Sequence, residues 1–369
     1  MRRITRLAVG VGALAVVAAA CAPNNHQDSL HPQGPYAQKI DTLFTPVFWI
    51  AAAIFFVVEG LLVAFAIRYR HRKGRQQAPP QIHGNSRLEI GWTILPALIL
   101  VGVAIPTVST IYDLARTPTG NVLNVNVVGH QWWWEFDYPD QQIVTANELH
   151  IPVGEPVYVS LCAAGVGYGG VPAPNECQPG PPKGAPPSAV GDDVIHSFWV
   201  PELAGKQDVV PGRTNHLVLQ ADRPGTYTGQ CAEFCGLSHA YMRFKVVAQT
   251  REDFDAWVRA QQADAVAPPA GSLAATGMND FLNGQCIACH AIRGLQVNGQ
   301  PLTANGGPNL THLMSRSCFR GCTMPITRAN LEAWLRDPQA VEAGSWMQLN
   351  PKLSQDQIDA LVAFLMTLR

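Results

Sequence analysis

Two cysteines, a histidine and a methionine are packed into twelve residues, at Cys231, Cys235, His239 and Met242. A second histidine, His196, lies well upstream. Two histidines, one cysteine and a weakly bound methionine are the ligands of a one-copper electron-transfer site. The extra thiolate lets both sulfurs bridge two metal ions, each of which then takes one histidine and one weak ligand. The pattern predicts a binuclear copper centre for one-electron transfer, because charge shared over two metals changes the geometry little on reduction.

Zinc and a disulfide are the other interpretations of the two cysteines. Zinc seldom recruits a thioether and prefers nitrogen, thiolate and carboxylate donors. A disulfide would leave His239 and Met242 without a role. Copper is therefore the prediction for this loop.

A second motif, Cys286-Ile-Ala-Cys289-His290, has the spacing of covalent haem attachment. The two cysteines fix the porphyrin through thioether bonds, and the adjacent histidine is an axial iron ligand. A zinc site or a disulfide is the alternative. Met324 and Met347 are the candidates for the second axial ligand. The motif predicts a haem c domain at the C-terminal end.

Length and composition indicate the kind of protein that carries these two sites. The chain has 369 residues, which suits two or three domains better than one core. Its formal net charge is −1, so nothing indicates a nucleic acid as partner. Charged residues make up only 14% of the chain, a low fraction that indicates a membrane component.

Two apolar segments, residues 47–67 and 90–111, are each long enough to cross a hydrocarbon core of about 30 Å. They predict a transmembrane helix hairpin over residues 44–116. The connector, residues 68–75, is strongly basic, and the positive-inside rule makes it cytoplasmic. Everything after Tyr112 is therefore expected outside the cytoplasm. A buried helix pair in a soluble protein is the alternative.

Residues 1–20 contain three arginines, a short apolar run and small residues at the end, which predict a secretory signal peptide. Cys21 follows directly, and its thiol either carries a lipid anchor or follows an ordinary Ala-x-Ala cleavage. The remaining cysteines are candidates for two disulfides, which would indicate an oxidising, extracytoplasmic compartment. The candidate pairs are Cys162 with Cys177 and Cys318 with Cys322.

Residues 117–250 form short alternating runs separated by Gly and Pro turns, which predicts a β-sandwich or barrel. Because the copper loop joins two late strands, a cupredoxin barrel is the expected fold. Three adjacent tryptophans, Trp132 to Trp134, cannot all face one core from a strand, and anchoring at a membrane interface is one interpretation. Residues 251–270 are predicted to be a helix and linker, and residues 271–369 the haem domain.

Four segments carry a family resemblance: residues 193–201, 206–213, 223–231 and the loop 231–242. With them the chain resembles subunit II of haem–copper cytochrome c oxidases, and with the C-terminal haem motif it is similar to the caa3-type members that carry a fused cytochrome c. The resemblance implies that Cys231 and Cys235 bridge the two coppers of a CuA centre. It implies that the centre is completed by His196, His239, Met242 and the backbone carbonyl of Glu233.

The same resemblance implies roles for other residues. The Glu233 side chain would bind a magnesium ion shared with subunit I, and Trp132 would accept electrons from cytochrome c. Glu89 would lie at the cytoplasmic mouth of a proton pathway in subunit I, and a solvated carboxylate favoured by the helix dipole is its alternative. The resemblance gives no role to Glu59, a costly charge inside the first segment, and packing against a partner in subunit I is the default expectation. Residues 163–190 would be an insertion tied by a disulfide.

For the haem domain the resemblance implies an all-α class I cytochrome c. Monohaem cytochromes c place the axial methionine in an irregular loop before the closing helix, which favours Met347 over Met324. Pro308 matches the proline whose carbonyl accepts the N–H of the axial histidine, His290, and so fixes its tautomer.

The expected architecture is a two-helix transmembrane hairpin, an all-β cupredoxin barrel and a class I cytochrome c. The implied function is to relay electrons from an external donor through haem c and CuA to haem a of subunit I, where O2 reduction is coupled to proton pumping. Expected partners are oxidase subunits I and III and a donor such as a bc-type complex or a small cytochrome, in a bacterial plasma membrane.

Two rival functions stay open. The chain could be the CuA subunit of a nitric oxide reductase, or a membrane-tethered copper-binding or delivery protein. Delivery sites usually lack such a closed ligand set, and Glu89 and Glu233 would have no purpose there. Intact copper ligands exclude a quinol oxidase subunit.

Overall fold

The computed structural model describes residues 27–70, 84–163, 194–303 and 306–369. Over these residues the chain forms a long helix pair, a β domain and a small helical domain, as the sequence predicts. The predicted signal peptide, Cys21, most of the basic connector and Cys177 lie outside the described residues.

The two apolar helices are α1 (Pro35–Tyr69) and α2 (Ser86–Leu114), both longer than predicted. Pro35 suits the first helical turn because its missing N–H has no intrahelical partner there. The Asn85 side chain caps α2 by accepting hydrogen bonds from the backbone of Arg87 and Leu88. Both helices are long and apolar enough to span a membrane, and the most apolar part of each is unburied within the chain. Lipid or other subunits must therefore cover these surfaces.

The β domain consists of two five-stranded sheets, ordered β3-β2-β1-β5-β8 and β4-β10-β9-β6-β7. Each sheet is mixed, because β1 pairs parallel with β5 and β10 pairs parallel with β4. The strands are β1 (Leu123–His130), β2 (Trp133–Tyr138), β3 (Ile143–Ala146), β4 (Glu148–Pro152), β5 (Val157–Ala163), β6 (His196–Trp199), β7 (Lys206–Val209), β8 (Asn215–Leu219), β9 (Gly225–Cys231) and β10 (Arg243–Gln249).

The core of the β domain is aromatic beside the copper loop. Trp134 lies edge-on to Phe198 and Phe244, with ring centroids 5.4 and 5.5 Å away. All three rings are fully buried. Such edge-to-face rings pack rigidly, which fixes the strands that carry the metal-binding side chains.

Helix α3 (Arg251–Gln261) leads from the β domain into the helical domain. Gly277 there lies so close to the carbonyl oxygen of Ala360 that no side chain would fit, which lets two helices pack tightly. The helices are α4 (Leu273–Asn283), α5 (Arg328–Arg336), α6 (Pro338–Val341) and α7 (Gln355–Leu365). Two short hairpins pair β11 (Gln296–Val297) with β12 (Gln300–Pro301) and β13 (Cys318–Phe319) with β14 (Met324–Pro325).

Candidate copper centre and haem site

The copper-loop side chains are brought together by the pairing of β9 with β10. These strands are antiparallel neighbours, with Gln230 opposite Arg243. The Cys231 N–H then donates to the Met242 carbonyl at 2.9 Å, so the two ends of the loop lie side by side. His196 enters at the start of β6, the strand on the other side of β9. Sheet order therefore explains how a distant histidine reaches a local loop.

The predicted donor atoms converge on one small space. Cys231 Sγ lies 3.8 Å from Cys235 Sγ, 3.8 Å from His196 Nδ1 and 3.2 Å from the Glu233 carbonyl oxygen. Cys235 Sγ lies 3.5 Å from His239 Nδ1 and 3.7 Å from Met242 Sδ. Each sulfur thus faces one imidazole and one weak donor, the arrangement predicted for two bridged metals.

Two pairs of cysteines in this chain have the same spacing but differ in their chemistry. Cys318 and Cys322 have the same four-residue separation and form a disulfide. Cys231 and Cys235 remain separate thiols. The hydrogen bond with Cys235, followed by those with His196 and the backbone, holds the pKa of Cys231 at about 4 although burial raises it. A thiolate with soft and imidazole neighbours suits copper.

Residues around the loop restrict the donor positions further. A Cβ on Gly129 would lie 2.9 Å from Cδ2 of His196, so the imidazole rests directly on backbone. Both Gln131 Nε2 and Trp132 Nε1 donate to the carbonyl of Cys235. Gln131 was missed in the sequence, where only its position beside the tryptophans could have indicated it.

The three adjacent tryptophans alternate in burial, as side chains in a strand do, although Trp132 lies just before β2. Trp134 is fully buried in the core, and Trp133 stacks on His130 with centroids 4.0 Å apart. Trp132 is only 5% exposed. Gly344 of the helical domain covers it, since a Cβ there would lie 2.6 Å from Cη2 of Trp132. The expected electron-accepting tryptophan therefore lies between the two domains.

The haem motif lies on a short helical turn, Gln285–Ala288, followed directly by Cys289 and His290. His290 Nδ1 lies 2.8 Å from the Pro308 carbonyl oxygen, which leaves Nε2 for iron. A Cβ on Gly307 would lie 2.7 Å from the His290 ring, so the loop fits closely around it. Burial lowers the pKa of His290, which favours the neutral form that binds metal. These residues fit a haem c.

The two candidate methionines have different surroundings. Met347 is half-buried against the helical core, and its Sδ accepts a hydrogen bond from Trp334 Nε1 at 3.0 Å. Met324 belongs to β14, where it pairs with Phe319. Met347 lies in the irregular segment between α6 and α7, which is the kind of segment expected to carry an axial ligand.

The side chains of the other predicted residues that the structure describes are not among the converging donors of either site. The side chains of Glu59 and Glu89 are exposed on α1 and in the first turn of α2, and Glu233 is also exposed. Cys162 is disulfide-bonded. A second cluster of metal-type side chains brings Glu148 near Cys318 and Cys322, but the disulfide withholds both sulfurs from a metal.

Three family models match this chain. They describe the transmembrane domain of cytochrome c oxidase subunit II over residues 24–110, the periplasmic domain of the same subunit over residues 188–249, and cytochrome c over residues 274–369. These domains indicate copper and haem c as cofactors.

Named relatives cover most of the chain. Cytochrome c oxidase subunit 2 of Alkalihalophilus pseudofirmus is 36% identical over 355 residues, which are 95% of this chain and 93% of that protein. Quinol oxidase subunit 2 of Bacillus cereus is 33% identical over 241 residues, 64% of this chain and 73% of that protein.

Among solved structures, the periplasmic domain of subunit II of cytochrome oxidase of Bradyrhizobium japonicum is 25% identical. The match covers 40% of this chain and 97% of that one, with a TM-score of 0.31. The extent and identity of the sequence relatives establish the assignment. The chain belongs to the cytochrome c oxidase subunit II family and carries a cytochrome c domain fused to its C-terminal end.

Proposed function

We propose that this chain is the subunit of a caa3-type cytochrome c oxidase that receives electrons from an external donor. Electrons would pass from haem c to CuA and on to haem a of subunit I, where O2 reduction is coupled to proton pumping. The observation that carries the proposal is the position of Trp132. Its indole donates to Cys235 on the copper side, and Gly344, in the segment that carries Met347, lies against its ring.

The residues of the chain have distinct parts in this proposal. Cys231 and Cys235 would hold two coppers, with His196, His239 and Met242, and the bound pair would supply one-electron transfer. The Glu233 carbonyl would complete the set. The aromatic core around Trp134 keeps the donors in place, so that little rearrangement accompanies a change of charge.

In the haem domain, Cys286 and Cys289 would attach the porphyrin, with His290 and Met347 as iron ligands. The Pro308 carbonyl holds the imidazole of His290 in one tautomer. Methionine ligation would keep the haem potential high. A high potential suits a centre that accepts electrons from a cytochrome-type donor.

The remaining assignments concern the assembly around the chain. We propose subunits I and III as partners, a bc-type complex or small cytochrome as donor, and a bacterial plasma membrane as the location. Glu89 would serve the mouth of a proton pathway, and Glu233 a shared magnesium ion. The exposed side chains of both residues leave them accessible to another subunit.

A quinol oxidase subunit is an alternative function, because one of the similar proteins is a quinol oxidase subunit 2. The full set of copper donors argues against it, because a quinol oxidase would have no use for two thiols and two imidazoles converging on one space. The catalytic partner would decide between an oxygen-reducing and a nitric oxide-reducing complex.

Purification of the native complex from membranes tests the proposal. We expect a catalytic subunit with haem a to co-purify, and the complex to consume O2 with reduced cytochrome c as donor. A partner that reduces nitric oxide instead, or a chain that purifies without any catalytic subunit, would reject it.

A further inference from the structure

A short segment of the haem domain lies on the β domain beside the copper loop. We call residues 317–322 the disulfide loop, since the Cys318–Cys322 disulfide closes it. It is distant in sequence from the surface that it touches: Ser317 and its partner Glu148 are 169 residues apart. The contact is therefore a docking between domains.

Glu148 is the main receptor for this loop. It is only 4% exposed and accepts hydrogen bonds from both the backbone N–H, at 2.8 Å, and the hydroxyl of Ser317. Lys245 donates to the Ser317 hydroxyl at 2.7 Å. Burial raises the pKa of Glu148, but the nearby His150 imidazole and the hydrogen bonds from Ser317 hold this pKa below its usual value. A buried carboxylate is thus satisfied partly by the other domain.

The tip of the disulfide loop rests on the copper loop itself. Gly321 lies against the carbonyl of Tyr241 so closely that no Cβ would fit, and its φ of +53° also favours glycine. The Arg320 guanidinium lies over the Tyr241 ring, 4.1 Å from its centroid. Tyr241 directly precedes Met242, so this contact reaches the edge of the candidate copper centre.

The disulfide loop is also linked to the segment that covers Trp132. Arg320 Nε lies 4.0 Å from the buried carboxylate of Glu342. Two residues further on, Gly344 touches Trp132, and the Ala343 carbonyl accepts from Ser238 Oγ at 2.8 Å. One side of the haem domain thus contacts the copper loop at two points, Ser238 and Tyr241.

We propose that the disulfide loop is a clasp that docks the haem domain on the copper domain, with Glu148 and Tyr241 as its receptor. The covalent linker alone provides only a high local concentration and allows many orientations. The clasp selects the orientation that places the Met347 segment on Trp132. The disulfide keeps Ser317 and Gly321 presented together, because it restricts the conformations of the loop.

This proposal rests on the proposed function only for its consequence, faster electron transfer from haem c to copper. Two variants test the clasp in the assembled oxidase: Glu148→Gln, and the double change Cys318→Ser with Cys322→Ser. Glu155→Gln is the matched control, because Glu155 pairs with Arg251 away from the clasp.

Docking is measured directly by cutting the linker. A protease site introduced next to Val266, which is 83% exposed, allows cleavage of the assembled enzyme. We expect the haem fragment to stay bound in the parent and in Glu155→Gln. Both clasp variants should lose affinity for it by about tenfold or more, the factor that a hydrogen bond to a charged group contributes.

The second readout is the rate of CuA reduction after rapid reduction of haem c. It should fall in both clasp variants while copper and haem contents stay at the parent level. Fragment retention and transfer rates equal to the parent in both variants would overturn the clasp. Absence of haem-to-copper transfer in the parent enzyme would reject the proposed function instead, and fragment retention would still decide on the clasp.

Discussion

The indole Nε1 of Trp132 donates a hydrogen bond to the backbone carbonyl of Cys235 at 3.0 Å. The same ring is covered from the haem domain by Gly344. One side chain therefore touches a candidate copper ligand and the segment that carries the candidate haem ligand Met347. This geometry makes Trp132 a direct protein connection between the copper loop and the haem domain.

The first prediction concerns that connection. Trp132→Phe keeps an aromatic ring and removes the hydrogen bond to Cys235, so copper content should stay unchanged while haem-to-copper transfer slows. The lost bond should also lower domain stability by about 1 kcal/mol. Flash-induced reduction of CuA measures the rate. Trp133→Phe, which alters a ring stacked on His130, is the control and should transfer electrons at the parent rate. Equal rates in both variants would contradict the assignment of Trp132.

A second prediction distinguishes the two methionines. Met347→Ala should remove the weak far-red band that a thioether ligand gives to ferric haem, and should lower the haem potential. Met324→Ala should change neither, because Met324 belongs to a short hairpin. Absorption spectra and redox titration measure both effects. Exchanged outcomes would show that the loop assignment is wrong while the haem itself remains.

The local parts of both sites could be predicted because their residues are neighbours in sequence. Cys231 to Met242 and Cys286 to His290 each form one short motif. His196 lies far upstream and was predicted from the copper ligand set and the family resemblance, and the strand order explains how it reaches the loop. The docking of the domains could not be predicted, because it joins residues such as Glu148 and Ser317 that are far apart in the chain.

The helix ends and Trp132 show the same limit. Hydropathy finds the membrane-spanning part of a helix but not its polar extension. The apolar pattern therefore predicted the first segment over residues 47–67, whereas α1 begins at Pro35. Trp132 could be recognised as one of three tryptophans, but its cover by Gly344 depends on a domain that begins far downstream.

A third prediction concerns pH and the buried Asp137. Burial raises its pKa to about 6, although the hydrogen bond from Asn126 lowers it. The folded state therefore keeps a proton that the unfolded state loses near the ordinary aspartate pKa of 3.8, and stability is lost as pH rises from about 4 to about 6. Asp137→Asn should remove this loss and stabilise the copper domain at pH 7.5 by about 1–3 kcal/mol.

The measurement is the temperature at which the full chain loses its copper absorbance, recorded at pH 4.5 and pH 7.5. The gain for Asp137→Asn should be present at the higher pH and small at the lower one. Asp140→Asn, at an exposed position, is the control. An equal gain at both pH values would show that the carboxylate charge is not its cause.

A fourth prediction concerns Glu89 in the first turn of α2. A contact with the helix dipole alone contributes under about 1 kcal/mol, so removal would matter little if that were its only role. If Glu89 serves a proton pathway, Glu89→Ala should slow O2 consumption of the assembled enzyme, and Glu89→Asp should recover part of the rate. Copper and haem contents should not change. Full turnover in Glu89→Ala would leave the residue as a helix-start carboxylate.

The central claim is that Cys231 and Cys235 together hold two coppers. Copper analysis and electron paramagnetic resonance of the purified full chain test it most directly. We predict two coppers per chain and a mixed-valence signal with hyperfine splitting from two equivalent nuclei, and in Cys231→Ser one copper or none. One copper per parent chain, or a site that takes only zinc, would contradict the account.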